Sequence, residues 1–234
     1  MVPFSFAGEE MRLVQGRALH WPREAALLVA DLHLEKASFF AGTGQLLPPY
    51  DSRETLERVA LAIRETGARR VFALGDNFHD DEGVDRLDAY AAGMLAALTR
   101  AVEWVWIAGN HDGLAARRCG GECVEEVHVA GLALRHRALA GGMEPELSGH
   151  FHPRLAVVAR GRRIVRPCAV VSERRMILPA FGALTGGMNA ADPAVLAAMQ
   201  PAQAIDAILP AGARLLRYPL WRAPGRGETA ECAF

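Results

Sequence analysis

Apolar residues in this chain come in short runs that end abruptly, and the polar residues that end them are of a restricted kind. Leu27-Leu28-Val29-Ala30 runs into Asp31-Leu32-His33, and Val71-Phe72-Ala73-Leu74 into Gly75-Asp76-Asn77-Phe78-His79-Asp80. Trp104-Val105-Trp106-Ile107-Ala108 runs into Gly109-Asn110-His111-Asp112. Unbroken apolar runs of this length predict strands covered on both faces. Segments of helical period separate them. One begins at Asp51, where Asp51 and Glu54 have capping-box spacing, continues through Leu56, Val59, Ala60 and Ile63, and meets a stop at Gly67. A second passes through Leu87, Tyr90, Met94, Leu95 and Leu98. This β-α-β-α-β rhythm predicts right-handed crossovers and a parallel core. All three polar clusters then fall at carboxyl ends of strands, on the rim where open α/β sheets bind ligands.

The flanks follow other patterns. Residues 3 to 21 alternate loosely, with turns at Gly8 and Gly16, and predict an opening hairpin or edge strands; His20 within them has no partner pattern and reads as a packed or surface histidine. Residues 34 to 50, with Gly42, Gly44 and Pro48-Pro49, read as a loop. Beyond residue 120 the runs shorten. Strands are expected over 127–129 and 132–136, near 155–159, 163–171 and 174–178, and near 204–209 and 214–220. Asp192-Pro193 opens a short helix over Val195, Leu196 and Met199. The expectation is one α/β domain over residues 1–221, two sheets face to face with helices outside, and a flexible tail over 222–234.

At 234 residues, with 51% hydrophobic and 23% charged, the chain can bury one substantial core. No apolar segment approaches the ~20 residues of a membrane-spanning helix. The N-terminus lacks a basic region followed by a long apolar one, so the cytoplasm is the expected compartment. The formal charge of −1 excludes a global positive field, and any nucleic-acid binding must come from a local patch. Cys119, Cys123, Cys168 and Cys232 lack zinc-ribbon or redox spacing and read as reduced thiols. Lys36 is the one lysine among 26 basic residues.

The strand-end clusters, with His136 closing an alternating run and Gly149-His150-Phe151-His152 beyond it, hold six of the eight histidines. Carboxylate, carboxamide and imidazole are the donors that two closely spaced divalent cations require. Asp31, His33, Asp76, Asn110, His136, His150 and His152 provide that set. His128 is a rival to His136, which ends a strand in register with Leu132 and Leu134.

The series Asp31-x-His33, Gly75-Asp76-x-x-His79, Gly109-Asn110-His111-Asp112, His136 and Gly149-His150-x-His152 resembles the calcineurin-like metallophosphoesterase superfamily over residues 31 to 152. The resemblance implies a double β-sandwich flanked by helices, an αββα arrangement. It implies one metal held by Asp31, His33, Asp76 and His152, and a second by Asp76 (bridging), Asn110, His136 and His150. His111 matches the superfamily's catalytic histidine, with Asp112 orienting it. Two departures stand out: His79 replaces a usual acidic residue, and Arg137 replaces the glycine that usually follows the fourth-motif histidine.

Ala30-Asp31-Leu32-His33-Leu34-Glu35-Lys36, the Gly-Asp-x-Phe-His-Asp form of the second motif, and Leu178-Pro179-Ala180-Phe181-Gly182 to Gly187 are similar to the DNA-ligase-associated metallophosphoesterases of PdeM type. In that branch glycine is frequent where this chain has Glu35. The branch implies a DNA-damage-response phosphodiesterase or endonuclease, associated with DNA ligase and helicase repair proteins. The nucleophile implied is a hydroxide bridging two metals, Mn²⁺ foremost, with Fe or Zn²⁺ as alternatives. His79, Asp80 and Lys36 are expected to support the ligands or touch substrate.

Substrate is less legible. Arg160, Arg162, Arg163, Arg166, Arg174 and Arg175 crowd the later hairpins and would suit a nucleic-acid backbone, although exposed hairpin arginines are ordinary in an arginine-rich chain. Gly182 to Gly187 would bring amides to a phosphate but has no P-loop lysine. Three readings stay open: a nuclease acting on nucleic acid in DNA repair, a phosphoesterase on cyclic nucleotides, phosphomonoesters or phosphoprotein, and a non-catalytic scaffold.

Overall fold

The computed structural model describes residues 1–110, 115–159 and 161–224. An antiparallel meander of β1 (Val2–Phe6), β2 (Glu9–Val14) and β3 (Ala18–Trp21) leads into β4 (Ala26–Val29). β4, β5 (Arg70–Leu74), β6 (Glu103–Ile107) and β7 (Glu122–Val124) then lie parallel, completing a seven-stranded sheet in sequence order. The crossovers carry α1 (Lys36–Gly42), α2 (Asp51–Thr66), α3 (Gly83–Arg86) and α4 (Ala89–Ala101).

Pleating explains why the central strands are apolar throughout. Leu28, Phe72, Val105 and Ile107 face the second sheet, whereas Leu27, Val71, Trp104 and Trp106 face α2 and α4. On the helix side they meet Leu56, Val59 and Ala62 of α2 and Ala91 and Leu95 of α4.

The second sheet draws on β8 (Glu126–Val129), β9 (Leu132–Arg135) and β10 (Glu146–Ser148), while β11 (Arg154–Ala159) and β12 (Arg162–Pro167) form a separate hairpin. It continues with β13 (Ala169–Val171), β14 (Arg175–Ile177), β15 (Ala204–Ala211) and β16 (Arg214–Arg222), in the order β16-β15-β13-β14-β10-β9-β8. Leu134, Leu147, Met176 and Ile208 close the core between the sheets. The outer face packs on α5 (Pro193–Ala198), which Asp192 caps by accepting from the Ala194 amide at 2.9 Å. No helix among the described residues is long and apolar enough to cross a membrane.

Five expectations need correction. Residues 34–50 are not all loop, because 36–42 form α1. Its first turn is capped from outside, Ser52 Oγ accepting from the Glu35 amide at 2.8 Å and Asp51 Oδ2 from the Ala37 amide at 3.0 Å. Asp51 is thereby spent on α1, so α2 begins after Tyr50 with no capping box. The next helix begins at Ala89 rather than Leu87, with Asp88 accepting from the Tyr90 and Ala91 amides at 2.8 and 2.9 Å. Residues 163–171 are two strands, divided at Cys168, whose amide donates to Pro153 O at 3.1 Å. Arg222 belongs to β16 and reaches Asp206 at 2.6 Å, while residues 225–234 of the expected tail lie outside the described residues.

Candidate metal centre

The loops leaving β4 and β5 are laced together by their backbones. The Asp31 amide donates to Gly75 O (3.1 Å), His33 to Asp76 O (2.9 Å), Leu34 to Asn77 O (2.9 Å) and His79 to Leu34 O (2.9 Å). Asn77 Nδ2 adds the third loop by donating to Ile107 O at 3.0 Å. The acidic side chains are gripped by amides from farther along the chain. Asp31 accepts from the His150 amide at 3.0 Å through both oxygens, and Asp76 Oδ1 accepts from the Asn110 amide at 2.8 Å.

This lacing forces unusual conformations. Asp31, His33, Asp76, His150 and His152 all adopt left-handed φ, between 45° and 74°. Each costs on the order of 1–3 kcal/mol outside glycine and persists only where surroundings over-determine it. Gly75, at φ 77°, is glycine for a second reason: a Cβ there would lie 2.3 Å from His136 Nδ1.

Two ligand groups result, and they share one carboxylate. Asp31, His33, Asp76 and His152 offer one set of donor atoms within 4.8 Å of one another, and Asp76, His136 and His150 a second. In the first, His33 Nε2 stands 3.2 Å from His152 Nε2, and His152 Nε2 stands 3.5 Å from Asp31 Oδ1. In the second, His136 Nε2 is 3.1 Å from His150 Nδ1 and 3.5 Å from Asp76 Oδ1. Asn110 Nδ2 lies 3.2 Å from the same His150 nitrogen, so Asn110 joins this group. Converging ring nitrogens and carboxylate oxygens present more lone pairs than protons to fill them. A divalent cation in each group satisfies that excess, and the O/N donor set without thiolate suits hard-to-borderline ions. The residues therefore fit a dinuclear divalent site.

Electrostatics agree. His136 Nδ1 lies 3.0 Å from Leu74 O, which fixes the proton on that nitrogen and leaves Nε2 as the donor lone pair. Burial, then the neighbouring His136 and Arg137, pushes the His150 pKa below its ordinary value, keeping the imidazole neutral and able to ligate.

The remaining candidates divide. His128 is exposed and pairs with Glu144 at 3.0 Å, away from both groups. His79 sets its ring edge-on to His33 at 5.7 Å and to Phe39 at 4.6 Å, so it packs behind a ligand. Asp80 pairs with Arg86, which also donates to Ser38 Oγ at 2.9 Å, and this ties α3 to α1. Lys36 opens α1. His111, Asp112 and Arg160 lie outside the described residues.

The arginine cluster is smaller than expected. Arg162, Arg163 and Arg166 are exposed on β12, but Arg175 is fully buried against Glu146 at 2.8 Å, and Arg174 donates to Met143 O at 2.5 Å. The start of the Gly182–Gly187 loop is engaged within the protein. The Phe181 amide is taken by Ala30 O at 2.8 Å and that of Ala183 by Thr55 Oγ1 at 3.0 Å. A Cβ on Gly182 would meet Leu32 O at 2.1 Å, and one on Gly187 would meet His152 O at 2.2 Å. These glycines support the ligand loops from 35 and 150 positions away in the chain, which no local pattern signals.

Comparison with known proteins points to one family. The family model for calcineurin-like phosphoesterases matches residues 26–153. Among solved structures, Pseudomonas putida nuclease MPE is 29% identical, with a TM-score of 0.70 over 93% of this chain and 98% of that one. The phosphoesterase Yfce from E. coli is 16% identical, with a TM-score of 0.42 over 82% of this chain and 96% of that one. Among curated proteins none matches significantly. With more than half its length matched and a dinuclear donor set on the predicted rim, the chain belongs to the calcineurin-like phosphoesterase family.

Proposed function

We propose that this protein is a dinuclear-metal phosphodiesterase acting on nucleic acid, of the DNA-ligase-associated branch and working in DNA repair. The observation that carries the reading is Asp76, common to two donor groups, as a bridging carboxylate must be. The likeness to a nuclease over nearly the whole of both chains supports the diester substrate.

Asp31, His33, Asp76 and His152 would hold one cation, and Asp76, Asn110, His136 and His150 the other, with Mn²⁺ preferred and Fe or Zn²⁺ as alternatives. When bound, the two cations lower the pKa of water at neutral pH and offset negative charge on the phosphoryl oxygens. The protein's own groups do the rest. The amides of His150 and Asn110 hold Asp31 and Asp76 in place, and the Leu74 carbonyl orients His136. His111, next in sequence to Asn110, protonates the departing alkoxide, with Asp112 orienting it. Proton donation of this kind contributes about 10²–10⁴-fold.

The test is metal analysis of purified protein with Mn²⁺-dependent rates on bis(p-nitrophenyl) phosphate, p-nitrophenyl phosphate and defined DNA. The diester and DNA should be cleaved, Asp76→Asn should lose both metal and activity, and His111→Ala should keep metal while losing turnover. Faster turnover of the monoester than the diester would favour a phosphomonoesterase instead, and no metal-dependent hydrolysis of any ester would end the reading. Co-purification with ligase or helicase proteins tests the repair association.

A further inference from the structure

A groove of about 880 Å³ leads from the Asn110 and His136 side of the metal centre, a volume suited to a nucleotide-sized group. Arg137 and Phe151 line it together with the small residues Ala194 and Ala197 of α5. Arg137 is exposed, and among the described residues no carboxylate pairs with it. Its guanidinium carbon sits 6.0 Å from the centroid of the Phe151 ring, and that buried ring meets His150 edge-on at 5.0 Å. The guanidinium is thus held beside the metal centre by a cation–π contact rather than by an acid.

The other charged residues on the groove are Arg135, Glu125 and Glu126. Arg135, also on the groove, is buried and pairs with Glu126 at 3.4 Å and Glu146 at 3.2 Å. Of the two acidic residues on the groove, Glu126 is therefore already opposed, and Glu125 forms no ion pair with Arg137. A fork of N–H donors held open beside a phosphate-binding centre suits a second phosphate, which a guanidinium takes in bidentate fashion. A small ester occupies the metal centre alone. A polynucleotide continues past it, and the next phosphate must go somewhere.

Resting on the phosphodiesterase reading, we propose that Arg137 binds the phosphate adjacent to the scissile one in a strand laid along this groove, and so selects polynucleotides over small esters. The alanines opposite leave the depth the strand needs.

Two measurements test this on the full chain. The first compares kcat and KM on bis(p-nitrophenyl) phosphate and on a short fluorescent DNA oligonucleotide. Arg137→Gln should raise KM for the oligonucleotide about 10- to 100-fold, as for loss of a charged hydrogen bond, and Arg137→Lys should recover part of it. Arg137→Lys, which keeps the positive charge beside His150, should leave turnover of the small diester within about twofold, and Arg137→Gln should affect the small diester far less than the oligonucleotide. Ala197→Trp, which fills the exposed groove wall, should likewise impair the oligonucleotide and spare the small diester.

The second measurement is anisotropy of the same oligonucleotide on chelator-treated protein across a salt series. Arg137→Gln should lower the slope of log affinity against log salt by roughly 0.7, the loss of one phosphate contact to a single strand. An unchanged slope, equal loss on both substrates, or no loss on either would overturn the proposal. So would a parent enzyme that cleaves the small diester but neither binds nor cleaves the oligonucleotide, with phosphoesterase chemistry left standing. Absence of any diesterase activity would instead sink the earlier reading, and the binding series would still decide Arg137.

Discussion

A Cβ on Gly109 would stand 2.0 Å from the Asp76 amide nitrogen and 2.5 Å from Asp76 Oδ1. The glycine thus lets the β6 loop close onto the carboxylate that both donor groups share, and the Asn110 amide then donates to the same oxygen. Gly109→Ala should push Asp76 out of position and weaken metal binding by at least about 10–100-fold, the scale seen when ligand support is lost. Metal titration with Mn²⁺ measures this. Parental affinity in the variant would mean that the loop can yield.

His136 and His128 make a paired prediction. His136 is buried, bonded to Leu74 O and within reach of Asp76, whereas His128 is exposed and paired with Glu144. His136→Gln should reduce metal content and diester hydrolysis together. His128→Gln should change neither, and stability by under about 0.5 kcal/mol, as for most surface substitutions. A loss of metal in His128→Gln would contradict the assignment.

Arg175 joins β14 to segments that cover the second sheet. Its Nε donates to Glu146 at 2.8 Å, and its terminal nitrogens to Leu139 O at 2.9 Å, to Gly142 O, and to Met199 O at 3.4 Å. Arg175→Met should cost about 3–5 kcal/mol, since it leaves a buried carboxylate short of a partner and strands buried carbonyls. Urea denaturation reads the change in midpoint. A shift no larger than that of an exposed Arg162→Met control would refute this structural role.

Glu35 carries a pH prediction. Burial pushes its carboxyl pKa above the ordinary value of 4.5, although Ser52 Oγ donates to Oε1 at 2.7 Å. The folded chain therefore holds this proton more tightly than the unfolded one. Stability from this group is lost as pH rises from about 4.5 through the raised folded pKa. Glu35→Gln keeps an acceptor for Ser52 and removes the ionisation, so its melting temperature relative to the parent should climb between pH 4.5 and 7.5. A difference that stays constant with pH would exclude burial as the cause.

Glu35 also shows why some features escaped a reading along the chain. It sits at φ 62°, a conformation that glycine adopts freely, and it starts α1 with caps lent by Ser52 and Asp51. A helix nucleated by side chains some fifteen positions away carries no local signature. Arg174 and Arg175 looked like their neighbours on the arginine-rich hairpins, yet one strand's alternation and the placement of Glu146 draw Arg175 fully inside. Cys168 divides the stretch 163–171, which reads as one strand, because its two halves join different sheets, a matter of pairing partners rather than composition.

The strands ending at Asp31, Asp76 and Asn110, the helix that Gly67 stops, and the seven donor residues were readable directly from residue order. Strand burial, helical period and donor chemistry are local properties, written within a few residues of where they act. The pairing of donors into two groups around Asp76 came only with the family resemblance, and His136 was preferred to His128 from strand register; the distances within each group, and the groove that leaves Arg137 open to an anion, depended on how the two sheets stack. Those are distances between segments up to about 120 residues apart, set by packing and by backbone hydrogen bonds across loops, and no window along the chain contains them.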